Sequence, residues 1–198
     1  MRIYDISQEL LGCVVFPGDP APRAESLSSM EEGKLYNLTA LSMCAHNGTH
    51  VDAPFHFYRD GVTVDRLPLS KMVGEAYVAE HQGMITAEDA EWILVEARLA
   101  GKEAAKRILI KGNATLSLEA AKVLSRAELE LFGNESQTVG PEDAPMETHL
   151  HLLGQGVVLL EGIRLGEVPS GKYLLNAAPI SVAGADGAPC RAILISDL

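Results

Sequence analysis

Short apolar runs closed off by glycine, proline and acidic residues open the chain and predict strands over Arg2 to Ile6 and Gly12 to Phe16, followed by the turn Pro17-Gly18-Asp19-Pro20. Lys34 to Cys44 reads as another strand and Tyr77 to Glu80 as a short one. From Thr86 the apolar spacing changes to that of a helix. Ala90, Ile93, Leu94 and Ala97 recur at three and four residues, Thr86 is placed as a cap, and Asp89 follows three positions later. The Glu/Lys-rich helix from Glu88 to Lys106 is expected to present a solvated face, with Trp92 and its helical neighbours in the core. Arg107 to Lys111 is a compact strand, and Ser117 caps a second helix over Leu118 to Leu124. Leu129 to Phe132 reads as a strand, Met146 to Leu153 as a short helix and Val157 to Glu161 as a buried strand. Tyr173 to Pro179 and Arg191 to Ile195 close the series, joined around an Asp186-Gly187 turn. Strands, then alternating helix and strand, then strands again predict a layered α/β or α+β domain with a mixed sheet. The two capped helices argue against a cupin-like barrel. No repeat, biased segment or linker interrupts the pattern, so residues 1–198 are expected to form one domain.

Composition narrows the partners. A net charge of −11 leaves no basic stripe to neutralise phosphates or to meet an anionic membrane surface. No apolar run is long enough to span a bilayer, and the first residues, MRIYDISQELLG, do not read as a secretory signal. Cys13, Cys44 and Cys190 are scattered and odd in number, which suits a reducing cytoplasm rather than a disulfide framework.

The candidate chemistry is concentrated in His46-Asn47-Gly48-Thr49-His50-Val51-Asp52-Ala53-Pro54-Phe55-His56. With 6 histidines in 198 residues, a window of this size holds about 0.3 by composition alone, and this one holds three. His149 and His151 form a second group, upstream of Glu161 at the end of an apolar run. In an extended chain His50, Asp52, Pro54 and His56 share one face, and Pro54 makes this an edge or irregular strand. A turn at Asn47-Gly48 swings His46 back toward the same point. Imidazoles and a carboxylate converging this way suit a borderline divalent ion such as Zn²⁺ or Mn²⁺. On a helix His149 shares the core-facing side with Leu152 and Leu153, while His151 points elsewhere. Glu161, if buried, needs a partner, and a metal is one way to supply it. Cys44 reads as a small buried residue, and His81, Asp19 and Asp186 as ordinary surface or turn residues.

The window HxGTHxDxPxH resembles the signature of the cyclase-like metal-dependent hydrolases, a family that includes bacterial kynurenine formamidases and isatin hydrolases. The likeness extends through IYDIS, VFPGDP, HLHLLGQGVVLLEGIRL and APISVAGADGAPCRAIL, nearly the whole chain. It implies a layered β/β/α domain, assembled as a homodimer, with two divalent ions per chain, Zn²⁺ or else Mn²⁺. His46 and His50 would bind the first ion, Asp52 and Glu161 would bridge both, and His149, twelve residues before Glu161, would bind the second. A hydroxide shared by the ions would attack a small-molecule carbonyl, and His56 would pass a proton to the departing amine. The activity implied is hydrolysis of a non-peptide amide C–N bond, arylformamidase on N-formylkynurenine being the best single label. Another small amide, a cyclic imide or a lactone is the alternative, and a non-catalytic metal- or small-molecule-binding protein the reading from a different class. The chain departs from kynurenine formamidases in having Phe16, a smaller aryl-stacking surface, where they have tryptophan before the Pro-Gly-Asp turn, and in a short segment at 112–115. Phe16, Phe55, Phe57 and Tyr58 are the candidates for an aryl pocket.

Overall fold

The structure is a computed structural model that describes residues 1–141 and 143–196. In chain order its strands are β1 (Arg2–Asp5), β2 (Arg23–Ser28), β3 (Leu38–Ser42), β4 (His50–Asp52), β5 (Val73–Glu80), β6 (Gly83–Ile85), β7 (Arg107–Lys111), β8 (Ala114–Leu116), β9 (Leu131–Asn134), β10 (Val158–Glu161), β11 (Gly171–Asn176), β12 (Gly187–Pro189) and β13 (Ile193–Ser196). The helices are α1 (Ala87–Ala100), α2 (Leu118–Ser125) and α3 (Met146–Gly154). Nine strands form one mixed sheet in the order β1-β13-β11-β5-β7-β9-β10-β4-β12. Its centre, β5-β7-β9-β10, is parallel, and each step between these neighbours crosses over through one helix. The flanking strands are antiparallel.

Alternation along the central strands builds two cores. Tyr77, Ala79, Ile108, Ile110, Phe132 and Leu159 face the helices and pack on Ala90, Ile93, Leu94, Ala97, Ala121 and Leu152. Val78, Leu109, Leu131, Val158 and Leu160 point the other way and join Val51, Leu175 and Leu194, so the curled sheet covers its own second face. The helix starts follow the capping chemistry read from the sequence. The Asp89 N–H donates to Thr86 Oγ1 (3.3 Å) and the Thr86 N–H to Asp89 Oδ2 (2.9 Å), and the Ala120 N–H donates to Ser117 Oγ (3.1 Å). Each such cap stabilises its helix by about 1 kcal/mol.

Several expectations are corrected. Gly12 to Phe16 is not a strand, because local side chains take its donors: Leu11 and Gly12 N–H donate to the Glu9 carboxylate, and Val14 N–H to Gln8 Oε1. Trp92 is 65% exposed, since the inward stripe of α1 is filled by Ala90, Ile93, Leu94 and Ala97. The helix expected to run to Lys106 ends at Ala100, while Lys102 and Glu103 beyond it are exposed as expected and Ala104 and Ala105 are buried. β2, β6 and β8 were not foreseen. β11 and β13 do pair, but the segment between them runs to the opposite edge of the sheet and adds β12 beside β4. Among the described residues, no helix is long and apolar enough to cross a membrane.

Candidate metal centre and active site

The strand register gathers the first part of the site. Glu161 of β10 lies directly opposite His50 of β4, and Gly187 of β12 directly opposite Asp52. His50, Asp52 and Glu161 therefore share the helix-facing side of the sheet, while Val51 enters the other core. Of the two expectations for this segment, the edge strand is not met, since β4 is flanked on both sides, while the irregular one is, since extended geometry stops at Asp52, before Pro54. Residues Pro54–His56 form a single 3₁₀ turn instead, which returns His56 to the site by a different route. Gly48, at φ +71, makes the turn that brings His46 back. Gly187 gives that ring its place, since a Cβ there would lie 2.8 Å from His46 Cε1.

α3 carries His149 on the same buried side as Leu152 and Leu153, as the helical spacing predicted. His151 instead meets Ser125 Oγ at 2.9 Å, outside the site.

His46 Nδ1 lies 2.8 Å from Asp52 Oδ1, and His50 Nε2 lies 3.4 Å from the same oxygen. Glu161 reaches His50 Nε2 with Oε2 (3.3 Å) and His149 Nε2 with Oε1 (3.1 Å), and Asp52 Oδ2 is 3.8 Å from His149 Nε2. The ligand atoms of His46, His50 and Asp52 fall within 4.8 Å of one another, as do those of Asp52, His149 and Glu161, with Asp52 common to both groups. The donor chemistry fits a cation. The Nδ1–H of His50 donates to the Gly48 carbonyl (3.0 Å) and that of His149 to the Pro145 carbonyl (2.8 Å). With Nδ1 so engaged, each ring turns Nε2 toward carboxylate oxygens, an arrangement that needs positive charge between them, carried either by a proton on the ring or by a metal cation. His50 Nε2 and Asp52 Oδ2 are buried without a hydrogen-bond partner among the described residues. Three imidazoles with two buried carboxylates suit Zn²⁺ or a similar ion.

The protons show the same imbalance. Burial opposes charging these rings, yet Asp186 and Asp52 raise the pKa of His46 to about 11, Asp52 and Glu161 that of His50 to about 10, and Glu161 with Asp52 that of His149 to about 9. Burial would raise Asp52 in turn, but His46 and His50 hold it well below the usual carboxylate range. The buried carboxylates thus draw positive charge onto whatever faces them.

One functional candidate was missed. Asp186, taken as a turn residue, accepts from His46 Nε2 (2.9 Å) and His56 Nδ1 (3.2 Å) through a single oxygen. It thereby ties a candidate ligand to the candidate acid/base group, and the two imidazoles in turn hold its carboxyl low. It is the sole acid between Glu167 and Asp197, a signal too weak to separate it from an Asp-Gly turn. Asp186→Asn is expected to lower turnover about 10- to 100-fold, as loss of an outer carboxylate partner does. Steady-state kinetics with metal analysis on the same sample would check this, and wild-type rates in the variant would refute it.

The cavity over these groups, about 370 Å³, is also lined by Phe16 and Phe57. Phe57 stacks on His149 (5.0 Å, 27°) and meets His56 edge-on (4.6 Å). Of the other aryl candidates, Phe55 is 39% exposed and Tyr58 donates from its hydroxyl to the Leu150 carbonyl (2.6 Å). Cys44 borders the cavity, with Sγ 3.9 Å from Asp19 Oδ2, and belongs to neither ligand group.

A curled mixed sheet with three helices on one face and a buried His–carboxylate cluster at one end defines a cyclase-like domain. The chain belongs to the Cyclase family, whose model, described as putative cyclase, matches residues 4–141. It is 34% identical to a kynurenine formamidase of Salinibacter ruber over 216 residues, covering 98% of this chain and 97% of that one. The solved structure of a potential metal-dependent hydrolase with cyclase activity superposes with a TM-score of 0.80 at 25% identity, over 98% of this chain and 96% of the other. Isatin hydrolase A from Labrenzia aggregata shares the fold, with a TM-score of 0.86 at 22% identity over 99% and 94% of the two chains.

Proposed function

We propose that the protein is a metal-dependent hydrolase of non-peptide amide C–N bonds, with N-formylkynurenine as substrate and kynurenine and formate as products. The observation that carries this reading is the buried cluster in which Nε2 of His50 and of His149 faces the carboxylates of Asp52 and Glu161, beside a partly exposed His56. Relatives at this level of identity that carry the name kynurenine formamidase support it. In this reading His46, His50 and Asp52 hold one ion, Asp52, His149 and Glu161 a second, and Zn²⁺ is the first choice with Mn²⁺ next. Such ions, when bound, polarise the formyl carbonyl and make water a nucleophile near neutral pH. The chain's own groups do the rest. Val139 N–H, 2.8 Å from Glu161 Oε1, orients that carboxylate. Asp186 holds His56 by Nδ1, which leaves Nε2 to move a proton to the departing arylamine nitrogen. Phe16 and Phe57 supply faces for the aryl ring.

The test is hydrolysis of N-formylkynurenine by chelated protein, with and without added Zn²⁺ or Mn²⁺. Turnover restored by metal is the expected result. Two ions bound with no turnover would move the substrate to a cyclic imide, lactone or other amide, and no metal uptake would end the reading.

Residues 1–198 act as one domain in this proposal, which the pairing of β1 with β13 from opposite ends of the chain supports. The unpaired thiols of Cys13, Cys44 and Cys190 suit a cytoplasmic setting. A homodimer is the proposed assembly. Among the described residues the β2–β3 ribbon pairs with no other strand, and Leu27, Leu38 and Leu41 on it are all exposed. A two-stranded ribbon is marginal alone in water, and a second copy of the chain would cover it. Light scattering is expected to give twice the chain mass, and Leu41→Glu to shift it toward the monomer.

A further inference from the structure

A second cavity, of about 580 Å³, adjoins the one over the metal-binding residues and shares Phe16, Gln137 and Thr138 with it. One base and one acid line it, Arg164 and Glu135. The Arg164 guanidinium donates to the carbonyls of Glu135 (2.9 Å) and Ile163 (2.7 Å) and to Gln8 Oε1 (2.8 Å), so all these acceptors are neutral. In a chain with 27 acids and 16 lysines and arginines, a cavity-lining arginine held, among the described residues, only by neutral groups stands out. Glu135 is fixed in place by the N–H groups of Gly112 and Leu165, each 2.6 Å from one of its oxygens.

The boundary between the cavities is polar and unsatisfied. Thr138 is 3% exposed, and its Oγ1 has no partner among the described residues. Both polar atoms of the Gln137 amide are likewise buried without one. Buried polar atoms of this kind are ordinarily paired, and here a ligand reaching from one cavity into the other would meet them.

We propose that this second cavity is a subsite for a zwitterionic α-amino-acid group, with the carboxylate on Arg164 and the ammonium on Glu135. The inference deepens the hydrolase reading and rests on it. The scissile formamide would lie over the metal-binding residues, the aryl ring at Phe16, and the amino-acid arm beyond. A planar guanidinium suits a carboxylate, and the acid beside it disfavours an arm that is anionic without a compensating ammonium. The substrate class so defined is the aryl formamide bearing a free amino acid, as opposed to a cyclic imide or an unsubstituted formanilide, which would leave the subsite unused.

The test compares N-formyl-L-kynurenine with N-(2-acetylphenyl)formamide, which keeps the reacting group and lacks the amino-acid arm. The intact metal-loaded protein is expected to favour the former in kcat/KM by about 100-fold, and Arg164→Gln to shrink that ratio by about 10- to 100-fold. Equal kcat/KM values in the wild type, or an equal loss on both substrates in the variant, would overturn the subsite. A calorimetric titration of the wild type with L-kynurenine and with 2-aminoacetophenone covers the case of a variant that does not fold. Tighter binding of L-kynurenine, by about 10-fold or more, is expected, and equal or absent binding of the two overturns the proposal. Should neither formamide be turned over, the formamide substrate fails on its own account, and the titration alone decides the subsite.

Discussion

His56→Gln lowers kcat for aryl formamide hydrolysis by about 10²- to 10⁴-fold, the range of a lost general acid–base group, and leaves the metal content of the chain at its wild-type level. The expectation comes from where the ring sits. Its side chain is 29% exposed, held at Nδ1 by Asp186 and packed edge-on against Phe57. Glutamine keeps a polar group of similar reach but cannot take up a proton and return it to the leaving nitrogen. Elemental analysis and steady-state kinetics on the same preparation separate the two roles open to this residue. His46, His56 and Asp186 also lie close enough to hold an ion together. Loss of metal together with activity would therefore make His56 a ligand and remove it as the proton carrier.

Asp52→Asn acts on the metal centre itself. Asp52 is common to both ligand groups, is 1% exposed, and approaches His46 and His50 with one oxygen and His149 with the other. An amide there removes the negative charge that two cations would share. The bound metal is expected to fall from about two ions per chain to one or none, and turnover by about 10³-fold or more, the several kcal/mol that such ions contribute to the transition state. Thermal unfolding supplies a readout independent of catalysis. Wild-type protein in a thousandfold excess of Zn²⁺ over its Kd gains about 4 kcal/mol from a single site, and the variant loses most of that gain. Unchanged metal stoichiometry in Asp52→Asn would mean that the ions sit elsewhere.

The parts of the fold that were legible are those encoded over a few residues. The α1 and α2 caps and the inward stripe Ala90, Ile93, Leu94 and Ala97 are local patterns, and the structure repeats them. The choice of His149 over His151 also followed from helical spacing. Where a short-range signal met a stronger long-range or competing contact, the expectation failed. Gly12 to Phe16 has strand composition, but the side chains of Gln8 and Glu9 occupy its donors. The alternation from His50 to His56 breaks at Pro54 into a 3₁₀ turn, although all its members except Pro54 still border the site.

The sequence by itself determined which chemistry is available: an unusual density of imidazoles and carboxylates in two short segments, and a pattern of strands and helices able to carry them in layers. Only the tertiary structure decided how those groups face one another. The sheet order brings β10 beside β4 and carries β12, from the last part of the chain, to the other side of β4. That placement sets Asp186 against His46, 140 residues away in sequence, and Glu161 opposite His50. It also joins the Phe16 segment to Arg164 and Glu135 in one cavity. The reason is physical: periodicity and capping act within one or two turns of chain, whereas strand order is set by burying two cores at once, a condition no single segment can express.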